Sequence, residues 1–275
     1  MTGPQIYTLN SGKKGVEEHR LDYQHITWLH LTKTLIPDNI KSYLNSLVCR
    51  VLKTRVANPN DKALVHELDG FDIDDSKFFP PSELPSNIKL SLGDVFEPIP
   101  ENLVGKYDLV HVRLLMVALK AGDWVPVAKN LQSLLRPGGY ILWDETGFTK
   151  FNATPITEAY QKWISTDVRY GLSVGRDVTS PMPLEGHFRK AGYVDCSHID
   201  FSSFSEGPEV RKRAGDTLVN YARQALNGIA SRGEFEWIHS HEDVEKHCDR
   251  LQQEVDDGVS VMGFEVRWTI GRKPE

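Results

Sequence analysis

The chain has 275 residues, 40 % hydrophobic and 25 % charged, with 21 glycines and 15 prolines; this balance excludes collagen-like, coiled-coil and wholly disordered chains and allows one large core. Lys and Arg number 32 against 38 Asp and Glu, a net charge of −6, so neither nucleic acid nor an anionic membrane is the expected partner, because both select a basic face. Cys49, Cys196 and Cys248 form no Cys-x-x-Cys pair, which suits a reducing compartment and predicts a cytosolic protein without signal peptide or membrane span.

Residues 15–45, with Trp28, Leu29, Leu31, Leu35 and Ile36, predict an N-terminal helical cover. Short apolar runs bounded by Gly, Pro, Asp and Asn then predict strands at 51–57, 68–73, 88–92, 107–112 and 140–144. Residues 124–135 place Val127, Leu131, Leu134 and Leu135 on one side of a helix that accepts Pro126 in its first turn and must stop at Arg136-Pro137-Gly138-Gly139. Strand, helix, glycine turn and strand make a βαβ unit, hence a mostly parallel sheet with ligands beyond the carboxyl ends of its strands. Further on, helices are expected at 158–168, 184–190, 210–228 and 241–256, with strands at 193–201 and 259–270 and a loop at 202–208. No linker divides the chain, so a single domain is expected over 1–275: a cover at 1–48, a cofactor-binding half at 49–145, and a substrate cap with the closing strands at 146–275.

Three predicted strands end in or just before an acid, Asp72, Asp94 and Asp144. A carboxylate at such a tip can accept both hydroxyls of a ribose, which makes Asp72 a candidate. Asp94 repeats the arrangement one strand on, where it could receive the exocyclic amine of adenine while Val95 packs on the ring.

The ordered segments LDGFDI (68–73), GDVFEP (93–98), YDLVHVRLL (107–115), LLRPGGY (134–140) and WDE (143–145) resemble the class I S-adenosylmethionine-dependent methyltransferases, in particular the small-molecule methyltransferases of fungal secondary metabolism. The resemblance implies a Rossmann-like α/β fold with a mostly parallel seven-stranded sheet and a helical cap. It also implies a bound S-adenosyl-L-methionine with Asp72 at the ribose, Asp94 and Val95 at the adenine, and Val112 and Arg113 beside the methionine part. The chain departs from the family after its first strand. The Asp-x-Gly-x-Gly-x-Gly loop, which lets backbone and helix N-terminus approach the methionine carboxylate, is replaced by Asn58-Pro59-Asn60-Asp61-Lys62, and only about ten residues precede the next strand. Two readings fit: a faulty gene model of an ordinary methyltransferase, or divergence toward a methyltransferase-fold cyclase or isomerase that no longer transfers methyl groups. A non-catalytic partner subunit is a third.

Methyl transfer asks chiefly for alignment and exclusion of water. If the acceptor is a hydroxyl or thiol, His111, Glu145 and His187 are the available bases, and none is assigned as catalytic. The Trp and Phe residues within 143–188 could line an acceptor pocket. Gly171-Leu172-Ser173-Val174-Gly175 spells a hydrolase elbow, but a helix is predicted before it instead of a strand. His239, His241 and His247 lack the helical spacing of a zinc site, so no metal is expected, and Ser240 with Asp243 reads as a helix cap. Arg211-Lys212-Arg213 reads as a solvated helix face. Acceptor and oligomeric state are not encoded in any motif.

Overall fold

The computed structural model describes residues 14–38, 40, 50–52 and 67–275. Eight strands form one sheet: β1 (Arg50–Leu52), β2 (Glu67–Asp72), β3 (Ile88–Leu92), β4 (Tyr107–Arg113), β5 (Leu135–Glu145), β6 (Phe151–Thr154), β7 (Val194–Ser202) and β8 (Val261–Arg272). Their order is β3-β2-β1-β4-β5-β8-β6, with β7 also paired to β8. The first five are parallel, and β8 runs antiparallel to β5, β6 and β7. β1–β5, β7 and β8 are the seven strands expected, and β6 adds an eighth. The additional strand, β6, is only four residues long and finds its partner more than a hundred residues later, along Val261–Phe264.

Helices α1 (Lys14–Thr32), α2 (Trp124–Leu134), α3 (Glu158–Ser173), α4 (Leu184–Ala191), α5 (Pro208–Ala230) and α6 (His241–Asp256) cover the sheet. β4 is buried over its first six residues, as a parallel strand covered on both faces must be. Alternation divides its side chains. Leu109, with Leu142 of β5, joins the layer under α1 and α5, whereas Val110 and Val112, with Ile141 and Trp143, join the layer under α2 and α4. Helix α2 turns Trp124, Val127, Ala128, Leu131 and Leu134 inward, each large aliphatic contributing about 1.5–3 kcal/mol.

Arg136-Pro137-Gly138-Gly139 does stop α2, but as a bulge inside β5 and not as a turn before it. Tyr107 pairs with Leu135 and Leu109 with Tyr140, so six residues of β5 match three of β4. A Cβ on Gly139 would stand 3.1–3.2 Å from the carbonyl oxygens of Arg136, Asp108 and Tyr107, which is why the bulge needs glycine there. Arg136 Nε closes the bulge on Asp108 Oδ1 at 2.6 Å.

The N-terminal cover is helical over Lys14–Thr32 and is fastened to the sheet and to α5. Tyr23 donates to Asp216 (3.1 Å), Thr27 meets Thr217 (3.1 Å), and Trp28 stacks on Phe264 with centroids 5.0 Å apart. At the head of α6, Ser240 Oγ accepts the Asp243 N–H at 3.2 Å, the expected cap. No helix among the described residues is long and apolar enough to cross a membrane.

Candidate cofactor and acceptor site

Chain order reverses between β1 and β4: β2 and β3 build outward on one side and β5 on the other. The crevice beyond the carboxyl ends of these strands is the topological switch point of the sheet. On its β2–β3 side, Asp72 and Leu92 are in register, and Asp94 follows two residues beyond. Asp72 is exposed and Asp94 half-buried. Each uses Oδ1 to hold its own turn, accepting the N–H of Asp74 (3.0 Å) and of Phe96 (2.9 Å) respectively, and the second oxygen of each has no hydrogen bond among the described residues. Val95 is half-buried, with its carbonyl held by Asn130 Nδ2 at 2.9 Å. The substituted segment at 58–62 and the shortened spacing before β2 lie outside the described residues.

The β4–β5 side is built differently. Val112 is buried in the layer under α2 and α4. Arg113 points to the opposite face, where its guanidinium lies 4.8 Å from the Trp28 ring, Nε is 3.8 Å from Asp144 Oδ2, and Nη1 is 3.1 Å from His25 Nδ1. Asp144 is not an open strand tip as expected. It is 4 % exposed and accepts the Trp28 indole N–H at 2.7 Å, because period-two alternation turns it under α1. Burial raises its pKa, opposed by Arg113 and Trp28.

Glu145, one residue on, faces the other way and is fully buried. Its Oε2 accepts the N–H groups of Leu115 (2.9 Å) and Met116 (3.1 Å) and the Trp143 indole (3.2 Å), and Oε1 accepts the N–H of Thr146 (3.2 Å). Burial pushes its pKa up to about 8 against those donors. Gly147 then lets the chain from the cap come close: a Cβ there would be 2.5 Å from the Ser180 carbonyl oxygen.

Of the three possible bases, Glu145 is thus engaged by four donors. His111 is 6 % exposed, with Nε2 3.9 Å from Asp144 in the layer under α1. His187 packs over Trp124 at 6.2 Å, 3.9 Å from Asp177, and burial lowers its pKa.

The cap carries a polar group that no motif announced. Asp167 of α3 is fully buried and faces Arg176, the Tyr221 hydroxyl and the Trp163 indole, and burial raises its pKa to about 6 against those three. Phe151 bridges the surrounding rings at 5.3 Å from Tyr221, 6.1 Å from Trp163 and 6.0 Å from Phe148. The sequence signal was a carboxylate within the inward stripe Tyr160, Trp163, Asp167, Tyr170. Trp143 and Phe188 belong to the core instead.

The other motifs resolve structurally. Ser173 ends α3 and donates to the Tyr170 carbonyl at 2.7 Å, so it sits on no elbow. His247 is buried against the Trp237 ring at 4.7 Å, its pKa lowered to about 4 by burial. Lys212 pairs with Asp216 and Asp256. Among the described residues no cluster of His, Cys, Asp and Glu could hold a metal ion. An open cavity of about 620 Å³ lined by Arg136, Tyr140, Arg272 and Glu275 lies at the far end of β5 from Glu145, its arginines already paired with Asp108 and Asp195.

No family model matches the chain. It is similar to the methyltransferase grgD of Penicillium sp, 34 % identical over 229 residues that make up 75 % of each protein. The chain belongs to the class I S-adenosylmethionine-dependent methyltransferases. The N-methyltransferase tcpN of Claviceps purpurea is a further relative of this methyltransferase, 30 % identical over 174 residues, 61 % of each chain. Among solved structures, phosphoethanolamine N-methyltransferase 2 of Haemonchus contortus superposes with a TM-score of 0.49 and 12 % identity, over 100 % of this chain and 61 % of that one. The cyclase and partner-subunit alternatives drew on the substituted segment before β2, which lies outside the described residues.

Proposed function

We propose that this methyltransferase modifies a small molecule of fungal secondary metabolism in the cytosol, working as one domain with residues 49–145 as the cofactor half and 146–275 as the acceptor cap. In this reading Asp72 accepts the ribose hydroxyls, Asp94 receives the adenine amine, and Val95 packs on the ring. The observation that carries it is the pair of carboxylates at adjacent, in-register strand tips, each with one oxygen left over after capping its own turn. Hydroxyl and amine donors are the chemistry such oxygens take. Beside the methionine part, Arg113 supplies the cation, held in place by Asp144 and Trp28; Val112, turned into the core, supports the strand from beneath.

When bound, S-adenosylmethionine supplies a methyl group already activated by its sulfonium. The chain must align the acceptor in line with that carbon and keep water out. A nitrogen acceptor is supported by the naming of tcpN as an N-methyltransferase. A neutral amine attacks through its lone pair and releases its proton to water afterwards, whereas a hydroxyl needs a base during attack, which accords with a site where Glu145 and His111 are already engaged. Incubation with methyl-labelled S-adenosylmethionine and an extract of fungal metabolites is expected to put label on a nitrogen-containing small molecule. Folded protein that transfers no label, and gives no calorimetric heat with S-adenosylhomocysteine, would overturn the proposal.

A further inference from the structure

Residues 114–116 follow β4 at the carboxyl end of the sheet, beside the switch point. Their backbone is not one that leucine favours: Leu114 has φ of +56°, in the left-handed region. Such a conformation persists only when its surroundings over-determine it. Here three hydrogen bonds do so, and all run to the end of β5. The Leu114 N–H donates to the Asp144 carbonyl at 3.0 Å, and the Leu115 and Met116 N–H groups both donate to Glu145 Oε2. Trp143 and Thr146 complete the shell of Glu145 and fix its own orientation.

We infer that Glu145 is a positioning residue: its carboxylate holds the 114–116 turn in the shape against which donor and acceptor are aligned, and it does not take the acceptor's proton. Two features separate these roles. The oxygen facing the turn already receives three N–H donors, which uses its acceptor capacity. The side chain is also wholly shielded, so a proton from the crevice would have to displace the turn to reach it. The inference rests on methyl transfer as the reaction, but the hydrogen bonds can be tested without it.

The test compares Glu145→Gln with Glu145→Asp, both checked for folding by circular dichroism. Glutamine keeps a carbonyl oxygen at the same reach but cannot take up or release a proton there. Aspartate keeps the carboxyl group but withdraws it by one methylene, about 1.5 Å, out of reach of Leu115 and Met116. Amide exchange of the cofactor-free protein is expected to leave Leu115 and Met116 protected in Glu145→Gln and to speed them about tenfold or more in Glu145→Asp. In turnover, kcat is expected to fall less than about tenfold for glutamine, with KM little changed, and about hundredfold for aspartate, the cost of a displacement on the order of 1 Å. A glutamine variant that loses about 10²- to 10⁴-fold while both amides stay protected would assign Glu145 as a base and overturn the inference. So would rapid exchange of both amides in the wild type. If Glu145→Asp does not fold, glutamine against wild type still decides through exchange and kcat. A wild type that binds no S-adenosylhomocysteine refutes the reaction itself, and the exchange comparison stands apart from that result.

Discussion

The tips of β2 and β3 and the tips of β4 and β5 both carry carboxylates at the same end of one sheet, yet the two sides use them in opposite ways. Asp72 and Asp94 stand in or near solvent, each spending one oxygen on a local turn. Asp144 and Glu145 are buried and spend their oxygens on Trp28 and on the backbone of the next loop. A carboxylate in water can exchange its hydration for a ligand's hydroxyls at small cost, whereas a buried one must be satisfied by the protein before anything binds. The first kind recognises and the second kind assembles.

The largest effect expected from this contrast is at Trp28. Trp28→Ala removes the stack on Phe264, the cation–π partner of Arg113 and the donor to Asp144, and should cost about 3–5 kcal/mol in urea unfolding. A loss under about 1 kcal/mol would show that the buried side is not structural. Next, Asp72→Ala and Asp94→Ala should each weaken S-adenosylhomocysteine about ten- to hundredfold by calorimetry, with a stability loss of only about 1 kcal/mol from the turn bond each gives up. Unchanged affinity would erase the distinction between the two sides.

The smallest effect is in the pH dependence, and here the sign separates buried acids from paired ones. Burial lifts Glu145 from 4.5 to about 8, so the folded state keeps a proton that the unfolded chain has released. The associated stability is full below pH 4.5 and is lost as pH rises through about 8. Asp167, lifted to about 6, acts in the same direction but has finished by then. Asp200 is the opposite case. Arg267, reaching it with two nitrogens at 2.7 and 2.6 Å, and Lys150 at 3.0 Å lower it to about 2, so its contribution is present above the unfolded value near 3.8 and is lost as pH falls through about 2. Denaturant midpoints of the wild type should therefore decline between pH 6 and 8, and Glu145→Gln should flatten that limb. Asp200→Asn should leave it as it is and reduce the acid limb. A decline that persists in Glu145→Gln would mean that another group carries it.

Most strands were legible because their signals are local. The run at 88–92 matches β3 residue for residue, and the helix at 241–256 matches α6 with its Ser240 cap. The misreadings arise where the deciding partner is distant in sequence. Asp144 looked like a ligand-facing tip because its neighbour, Trp28, lies 116 residues upstream. Arg136-Pro137-Gly138-Gly139 looked like a turn between elements because a bulge is defined by its pairing with β4, which alternation of hydrophobicity does not reveal. Asp167 has no motif around it, only its place in an apolar stripe. Glu145 was visible as a polar residue at the crevice, but its role depends on two N–H groups whose direction is set by the left-handed Leu114.

β8 lends its backbone to three neighbours at once: β5 along Arg267–Arg272, β6 along Val261–Phe264, and β7 beside most of its length. During synthesis those three strands emerge well before the segment that unites them. Each must wait with an open edge, the condition under which nascent chains pair wrongly or with one another. Yield of native enzyme should consequently be more sensitive to how fast the ribosome delivers residues 261–272 than to the pace of any earlier stretch.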